Sequence, residues 1–164
     1  MKVFGVTGWK NTGKTGLMER LVTEITGRGF TVSTVKHAHH SFDVDHEGRD
    51  SYRHRAAGAR EVLLSSGQRW ALMHELRGAP EVPLTELLEK LSPVDLVLIE
   101  GFKAEGHEKL ECYRAAAGKP LIAREDATVV AVASDVVVEL TQPVFDLDDT
   151  GTIADFVLAR VGLT

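Results

Sequence analysis

The sequence predicts an α/β fold, a mostly parallel twisted sheet with helices on both faces plus a β-hairpin extension, and three observations carry that prediction. A short β-prone run, Val3 to Val6, is followed at once by a glycine-rich loop and then by an amphipathic run, Leu17 to Ile25. Strand-like and helix-periodic segments go on alternating along the chain. Val94 to Ile99 is an almost unbroken apolar run closed by Glu100 and Gly101, the pattern of a strand buried on both faces of a parallel sheet.

Each element has its own signal. After the first helix, Gly27 and Gly29 punctuate, and Phe30 to Val35 reads as a second strand ending at Lys36 and His37. A polar, histidine-rich stretch runs to His46. Asp50 to Gly58 reads as a short helix, and Glu61 to Ser65 with Arg69 to Met73 as a hairpin turning at Ser66 and Gly67. Leu84 to Leu91 is helical, Lys109 to Arg114 and Thr128 to Ala133 are further strands, and Ile153 to Val161 is the closing helix. At 164 residues and 43% hydrophobic, the chain holds one domain, residues 1–164, with enough apolar content for a core.

Gly8 to Thr15 read Gly-Trp-Lys-Asn-Thr-Gly-Lys-Thr and fill the pattern G-x-x-x-x-G-K-[ST] of a phosphate-binding loop. The flanking strand and helix are the context that the mechanism needs, so the domain reads as a P-loop NTPase that binds a nucleoside triphosphate. Gly8 and Gly13 let the backbone wrap a phosphate, and the amides of Asn11, Thr12 and Gly13 to Gly16 line the cradle at a helix N-terminus. Lys14 reaches the terminal phosphates and Thr15 ligates Mg²⁺. Lys10 reads as a solvated charge at the phosphate edge.

Such a loop works with an acidic residue at the end of a neighbouring buried strand, and Glu100 holds that position, making Thr15 and Glu100 the expected metal ligands. Asp95, at the other end of the same strand, reads as a solvated cap, while Gly101 is placed to approach the terminal phosphate. Two readings stand for the base. Asp135, after the strand from Thr128, could accept the N1 hydrogen and 2-amino group of guanine. Asp146, Asp148 and Asp149 are a second acidic group, with capping of the last helix as their simpler role. No glutamine or arginine is evidently placed to orient water, so hydrolysis is expected to be slow.

Net charge is −5 and the pI is near 5.8, which argues against a nucleic-acid partner. The start lacks the apolar core of a signal peptide and no run approaches the roughly 20 apolar residues of a membrane span, so no membrane is expected and the location is the cytoplasm. Cys112 is the only cysteine and reads as a small hydrophobe on a strand. Between Lys36 and His46 lie four of the seven histidines and two aspartates. Three readings stand there: a zinc-type metal site on the histidine segment, a phosphate or pyrophosphate site built from Lys36, His37, Arg49, Arg53 and Arg55, or contact of Asp43 and Asp45 with the Mg²⁺ of the nucleotide.

The loop, the segment Val35 to Asp45, Gly48 to Tyr52, Ala57 to Ala59, Gln68 to Leu72, Ile99 to Lys103 and Ala131 to Asp135 together resemble, in order and over nearly the whole chain, the molybdopterin-guanine dinucleotide biosynthesis adapter (MobB) family. Gly16 departs from it, standing where many P-loops carry a second threonine. The resemblance implies a GTP-binding protein with weak GTPase activity, a homodimer, and Mg²⁺ as cofactor. Its partner would be the molybdopterin guanylyltransferase that joins GMP to molybdopterin, with molybdopterin itself a further candidate ligand. A homodimer also has a physical ground, because the hairpin bearing Val62, Leu63, Leu64, Trp70, Leu72 and Met73 carries more apolar surface than an isolated hairpin should. Two other functions fit the loop: a small-molecule kinase, and a histidine-rich metallochaperone GTPase.

Overall fold

The structure is a computed structural model describing residues 1–38 and 42–163. The chain forms two compact units, Met1–His37 with Leu88–Thr164, and Ala38–Leu87.

The first unit is built on a six-stranded parallel sheet. Its strands are β1 (Lys2–Thr7), β2 (Val32–Lys36), β5 (Leu96–Glu100), β6 (Lys109–Tyr113), β7 (Val129–Ser134) and β8 (Val144–Asp146), in the order β2-β5-β1-β6-β7-β8. Helices α1 (Lys14–Gly27) and α4 (Thr150–Val161) cover one face. Leu17, Leu21 and Ile25 recur every fourth residue on α1 and bury against Phe4, Val6, Leu96, Leu98, Leu110 and Cys112. Ile153, Ala154, Val157 and Leu158 of α4 complete that layer. On the opposite face the short 3₁₀ turn Ile122–Arg124 brings Leu121 and Ala123 onto Val129 and Val132. All five residues of β5 are buried, as expected of a strand covered on both faces.

Three details differ from the sequence reading. β2 begins at Val32 and β5 at Leu96, because Thr31 and Asp95 are bound up in their own junction: the Asp95 carboxylate accepts the Thr31 amide at 2.8 Å and its hydroxyl at 2.6 Å. These bonds hold the Asp95 carboxyl below its usual range. β8 adds an edge strand that the sequence reading lacks. Helix α1 starts at Lys14, with Gly13 as its cap, and the bond from the Leu17 amide to the Gly13 carbonyl at 2.9 Å closes the first turn across Gly16.

The second unit carries α2 (Asp50–Ala56), the hairpin β3 (Glu61–Ser65) with β4 (Trp70–His74), and the start of α3 (Leu84–Glu89). The Ser66 amide donates to the Arg69 carbonyl at 2.9 Å, closing the turn where the sequence predicts it. Leu63 pairs with Leu72 and Ser65 with Trp70, so Leu63, Leu72 and Trp70 share one side of the hairpin, and all three are exposed. Arg55 is the stitch of this unit. Its guanidinium holds both Asp43 oxygens at 2.8 Å and Glu75 at 2.9 Å, and approaches Asp45 at 3.5 Å. Among the described residues no helix is long and apolar enough to cross a membrane.

Candidate functional site

The phosphate loop leaves β1 in a conformation that its sequence makes possible. Gly8 has φ +140°, and a Cβ there would lie 2.5 Å from the Cys112 carbonyl and 2.7 Å from the Thr12 hydroxyl, so neither the backbone angle nor the space admits a side chain. Asn11 also takes positive φ, at 66°, and is exposed, as is Lys10. Thr12 is buried, with its hydroxyl donating to the Trp9 carbonyl at 2.9 Å. The Lys14 ammonium donates to that same carbonyl at 2.5 Å, arching back over the loop. Burial lowers the basicity of Lys14, with Lys103 and Lys36 adding to the fall while Cys112 and Glu100 oppose it. An ammonium in that setting gains strongly from a neighbouring anion.

The loop borders an open cleft of about 360 Å³ lined by Asn11, Thr12, Gly13, Lys14, Thr15, Gly16 and Arg114. Six of the seven are the residues that the sequence assigns to phosphate. Positive-φ backbone, an α-helix N-terminus and a half-buried ammonium suit a polyphosphate.

Glu100 meets the loop at the same sheet edge, as the topology requires when β5 lies beside β1 and runs parallel to it. The Thr15 hydroxyl donates to Glu100 Oε1 at 3.2 Å, and the Lys36 ammonium lies 3.4 Å from Oε2. A hydroxyl and a sheltered carboxylate within one hydrogen bond of each other form an oxygen donor pair of the kind that takes Mg²⁺.

Gly101 makes a packing contact between strand exits. Its amide donates to the Val6 carbonyl at 3.2 Å, and with φ +94° a Cβ would lie 3.0 Å from Cβ of His37. The glycine lets the exit of β5 pass close beside the exit of β2. The His37 ring also packs on Phe102, 4.7 Å between centroids, and its amide donates to the Glu100 carbonyl at 2.9 Å. Farther along, the buried Lys109 ammonium holds the carbonyls of Glu105 at 2.6 Å and Lys103 at 3.3 Å, tying down the segment that leaves Glu100.

The base-reading candidates separate. Asp135 lies at the exit of β7 and accepts the Ala115 amide at 3.0 Å, linking it to the residue next to Arg114. Asp146 accepts the Asp148 amide, Asp148 lies 3.6 Å from Arg20, and Asp149 caps α4 through the Thr152 amide at 3.1 Å, so Asp149 has the capping role. Asp43 is bound to Arg55, and Asp45 accepts the Ser51 hydroxyl at 2.9 Å. Both are thus engaged within their own unit, and Arg55 is surrounded by the carboxylates of Asp43, Asp45 and Glu75. Among the described residues no three histidine, cysteine or acidic side chains converge as metal ligands, and His39 and His40 of the predicted histidine site lie outside the described residues. Cys112 is fully buried on β6, its thiol pushed up to about 12 by that burial.

Sequence reasoning missed three neighbours of the loop. The Arg114 guanidinium packs beside Gly13, and the Trp9 indole donates to the Pro120 carbonyl at 2.8 Å. The Lys103 ammonium sits 4.2 Å from the Trp9 ring centroid, a cation–π contact. Arg114 and Pro120 reach the loop because β6 flanks β1, which no local pattern reveals, whereas Lys103 follows Glu100 out of β5.

A family model described as molybdopterin guanine dinucleotide synthesis protein B, MobB, matches residues 3–135. The chain belongs to the MobB family. It is 42% identical over 153 residues to the molybdopterin-guanine dinucleotide biosynthesis adapter protein of Escherichia coli (strain K12), covering 92% of this chain and 87% of the other. The adapter protein of Haemophilus influenzae is 39% identical over 157 residues, with 94% and 86% covered. The crystal structure of a MobB protein homolog from Bacillus stearothermophilus matches with a TM-score of 0.74 and 28% identity, over the whole of both chains. The MobB match spans the loop, Glu100, Arg114 and Asp135, and leaves β8 and α4 outside it.

Proposed function

We propose that this chain is an adapter in molybdopterin-guanine dinucleotide biosynthesis that binds GTP with Mg²⁺ and works beside the guanylyltransferase. The nucleotide half of the reading rests on one observation above the others: Thr15 of the phosphate loop and Glu100 of the adjacent strand share a hydrogen bond at the mouth of the cleft. The pathway half rests on the family, whose relatives from Escherichia coli and Haemophilus influenzae carry the adapter name.

In this reading Lys14 leaves the Trp9 carbonyl for the terminal phosphates, the loop amides hold the phosphate oxygens, and Thr15 and Glu100 hold the cation. Bound Mg²⁺ would supply charge neutralisation at the phosphates. Arg114 is the one guanidinium lining the described cleft, packed at the side of Gly13. Among the lining residues none is a glutamine or a carboxylate able to orient water. Hydrolysis on the order of 10⁻⁴ to 10⁻² per second is therefore expected, in keeping with a carrier or slow switch.

Calorimetry with GTP and Mg²⁺ tests the reading. Micromolar binding that drops at least tenfold in Lys14→Ala supports it, since a charge-assisted phosphate contact is worth roughly 1.5–3 kcal/mol. Absence of binding, or equal binding by the variant, refutes it. Co-purification with the guanylyltransferase tests the adapter role, and a chain that never associates with that enzyme in the presence or absence of GTP is no adapter to it.

A further inference from the structure

Glu100 is claimed twice. β2 and β5 run parallel with Lys36 opposite Glu100, which brings the Lys36 ammonium within 3.4 Å of Oε2 while Thr15 holds Oε1. The two partners are unequally fixed. The Glu100 side chain is 11% exposed, whereas that of Lys36 is 60% exposed on a flexible four-carbon stem. Thr15 marks Oε1 as the oxygen that would meet Mg²⁺, and a dication there would stand within a few ångströms of the ammonium on Oε2, repelling it and drawing the carboxylate charge away from it. Binding of Mg²⁺ at Thr15 and Glu100 therefore loosens Lys36 from its partner.

Charge decides where the lysine goes. Lys14 feels Lys36 and Lys103 as like charges and Glu100 as an opposite one, and Arg114 adds a guanidinium to the cleft lining, so positive charge gathers at the loop. A dication added to that field is repelled unless phosphate charge arrives with it. Each further phosphate improves the balance, and the terminal phosphate is the one that P-loop geometry directs to the edge where Lys14 and Glu100 stand. Building on the nucleotide reading above, we infer that Lys36 is the counter-ion of Glu100 in the nucleotide-free protein, is released when Mg²⁺ takes the carboxylate, and then pairs with the third phosphate, so that it sets the preference for triphosphate over diphosphate.

The test is a set of four calorimetric titrations, GTP and GDP each with Mg²⁺ and with EDTA, on the wild-type chain and on Lys36→Met. In the variant the carboxylate has no competitor for the metal and no neutralising partner without it, so the gain in GTP affinity on adding Mg²⁺ rises. The GTP over GDP ratio in Mg²⁺ falls. Each change is expected at roughly three- to tenfold, the range for a half-exposed charge contact. Lys36→Arg retains the charge and keeps most of the GTP preference, which a merely structural role for the aliphatic stem would not require. Both ratios within twofold of wild type overturn the inference, and a rise in the first without a fall in the second overturns the phosphate contact. Wild-type protein that binds neither nucleotide in Mg²⁺ overturns the nucleotide reading itself, an outcome visible before any variant is made. Lys36→Gln gives the same comparison should the methionine variant not fold.

Discussion

Replacing Lys109 by methionine probes how the segment behind Glu100 is held. Lys109 has no exposed surface, yet its ammonium is fully engaged: it donates to the Glu105 carbonyl at 2.6 Å, the Thr128 hydroxyl at 2.7 Å and the Lys103 carbonyl at 3.3 Å, with Asp126 at 3.8 Å. Burial still lowers its basicity, so part of what the hydrogen bonds contribute offsets desolvation of the charge. Methionine keeps the width of the stem and removes every donor. Two short charged bonds at roughly 1.5–3 kcal/mol each, less the relieved desolvation, leave a net loss of about 3 kcal/mol. For a chain of this length that lowers the thermal midpoint by roughly 6–12 °C. Circular dichroism melts, paired with hydrogen exchange of the amides from Lys103 to His107, measure both consequences. A midpoint within about 2 °C of wild type with unchanged exchange in that segment would refute the reasoning, because the ammonium would then not be what fastens the loop.

Three other outcomes are expected. His107 packs its ring on Gly5 with both ring nitrogens buried and without a hydrogen-bond partner, and burial, with Lys109 adding to it against Asp126, lowers its pKa from 6.5 to about 4. The unfolded chain then binds the proton first, so this group's stabilisation is full above pH 6.5 and is lost as pH falls towards 4; denaturant midpoints across that window should fall less steeply in His107→Phe than in wild type. Asp135→Asn should lower the preference for GTP over ATP by about tenfold in competition titrations, and an unchanged preference would mean that the base is read elsewhere. Leu63→Asp on the exposed side of the hairpin should convert a dimer to a monomer by light scattering at micromolar concentration, and a wild-type monomer under those conditions would remove the hairpin as a self-association surface.

Local pattern carried the elements that bear the phosphate loop. The run before Gly8, the fourfold spacing of Leu17, Leu21 and Ile25, and the apolar stretch ending at Glu100 are each readable without a partner segment, and Thr15 meets Glu100 because two parallel strands that end at one edge must bring their exits together. Order across the sheet is a different kind of information. Nothing within Lys109 to Tyr113 announces that this strand lies on the far side of β1, so the arrival of Arg114 beside Gly13 could not be foreseen. The buried charges of that strand mislead in the same way, since Lys109 and Glu111 look like solvent-facing positions until their acceptors and donors are known. Glu111 in fact accepts the Ile122 and Ala123 amides at 3.0 and 2.9 Å, holding the turn that covers the second face. β8 escaped because three residues, Val144 to Asp146, are too few to show alternation. Arg55 looked like a phosphate ligand in a basic stretch, and only the fold reveals the three carboxylates gathered around it.

The chain has two tryptophans, and each stands at a different surface of interest. Trp9 belongs to the phosphate loop, its indole tied to the Pro120 carbonyl and faced by Lys103, while Trp70 is 65% exposed on the apolar side of the hairpin. The protein thus carries two built-in optical probes that a single phenylalanine replacement separates. With Trp70→Phe the remaining emission follows the loop as ligand enters, because any shift of Lys103 or of the indole hydrogen bond alters a charge and an acceptor touching the ring. With Trp9→Phe the emission follows solvent exclusion at the hairpin alone, and occupancy of the loop and association of the chain become separately visible, one variant for each.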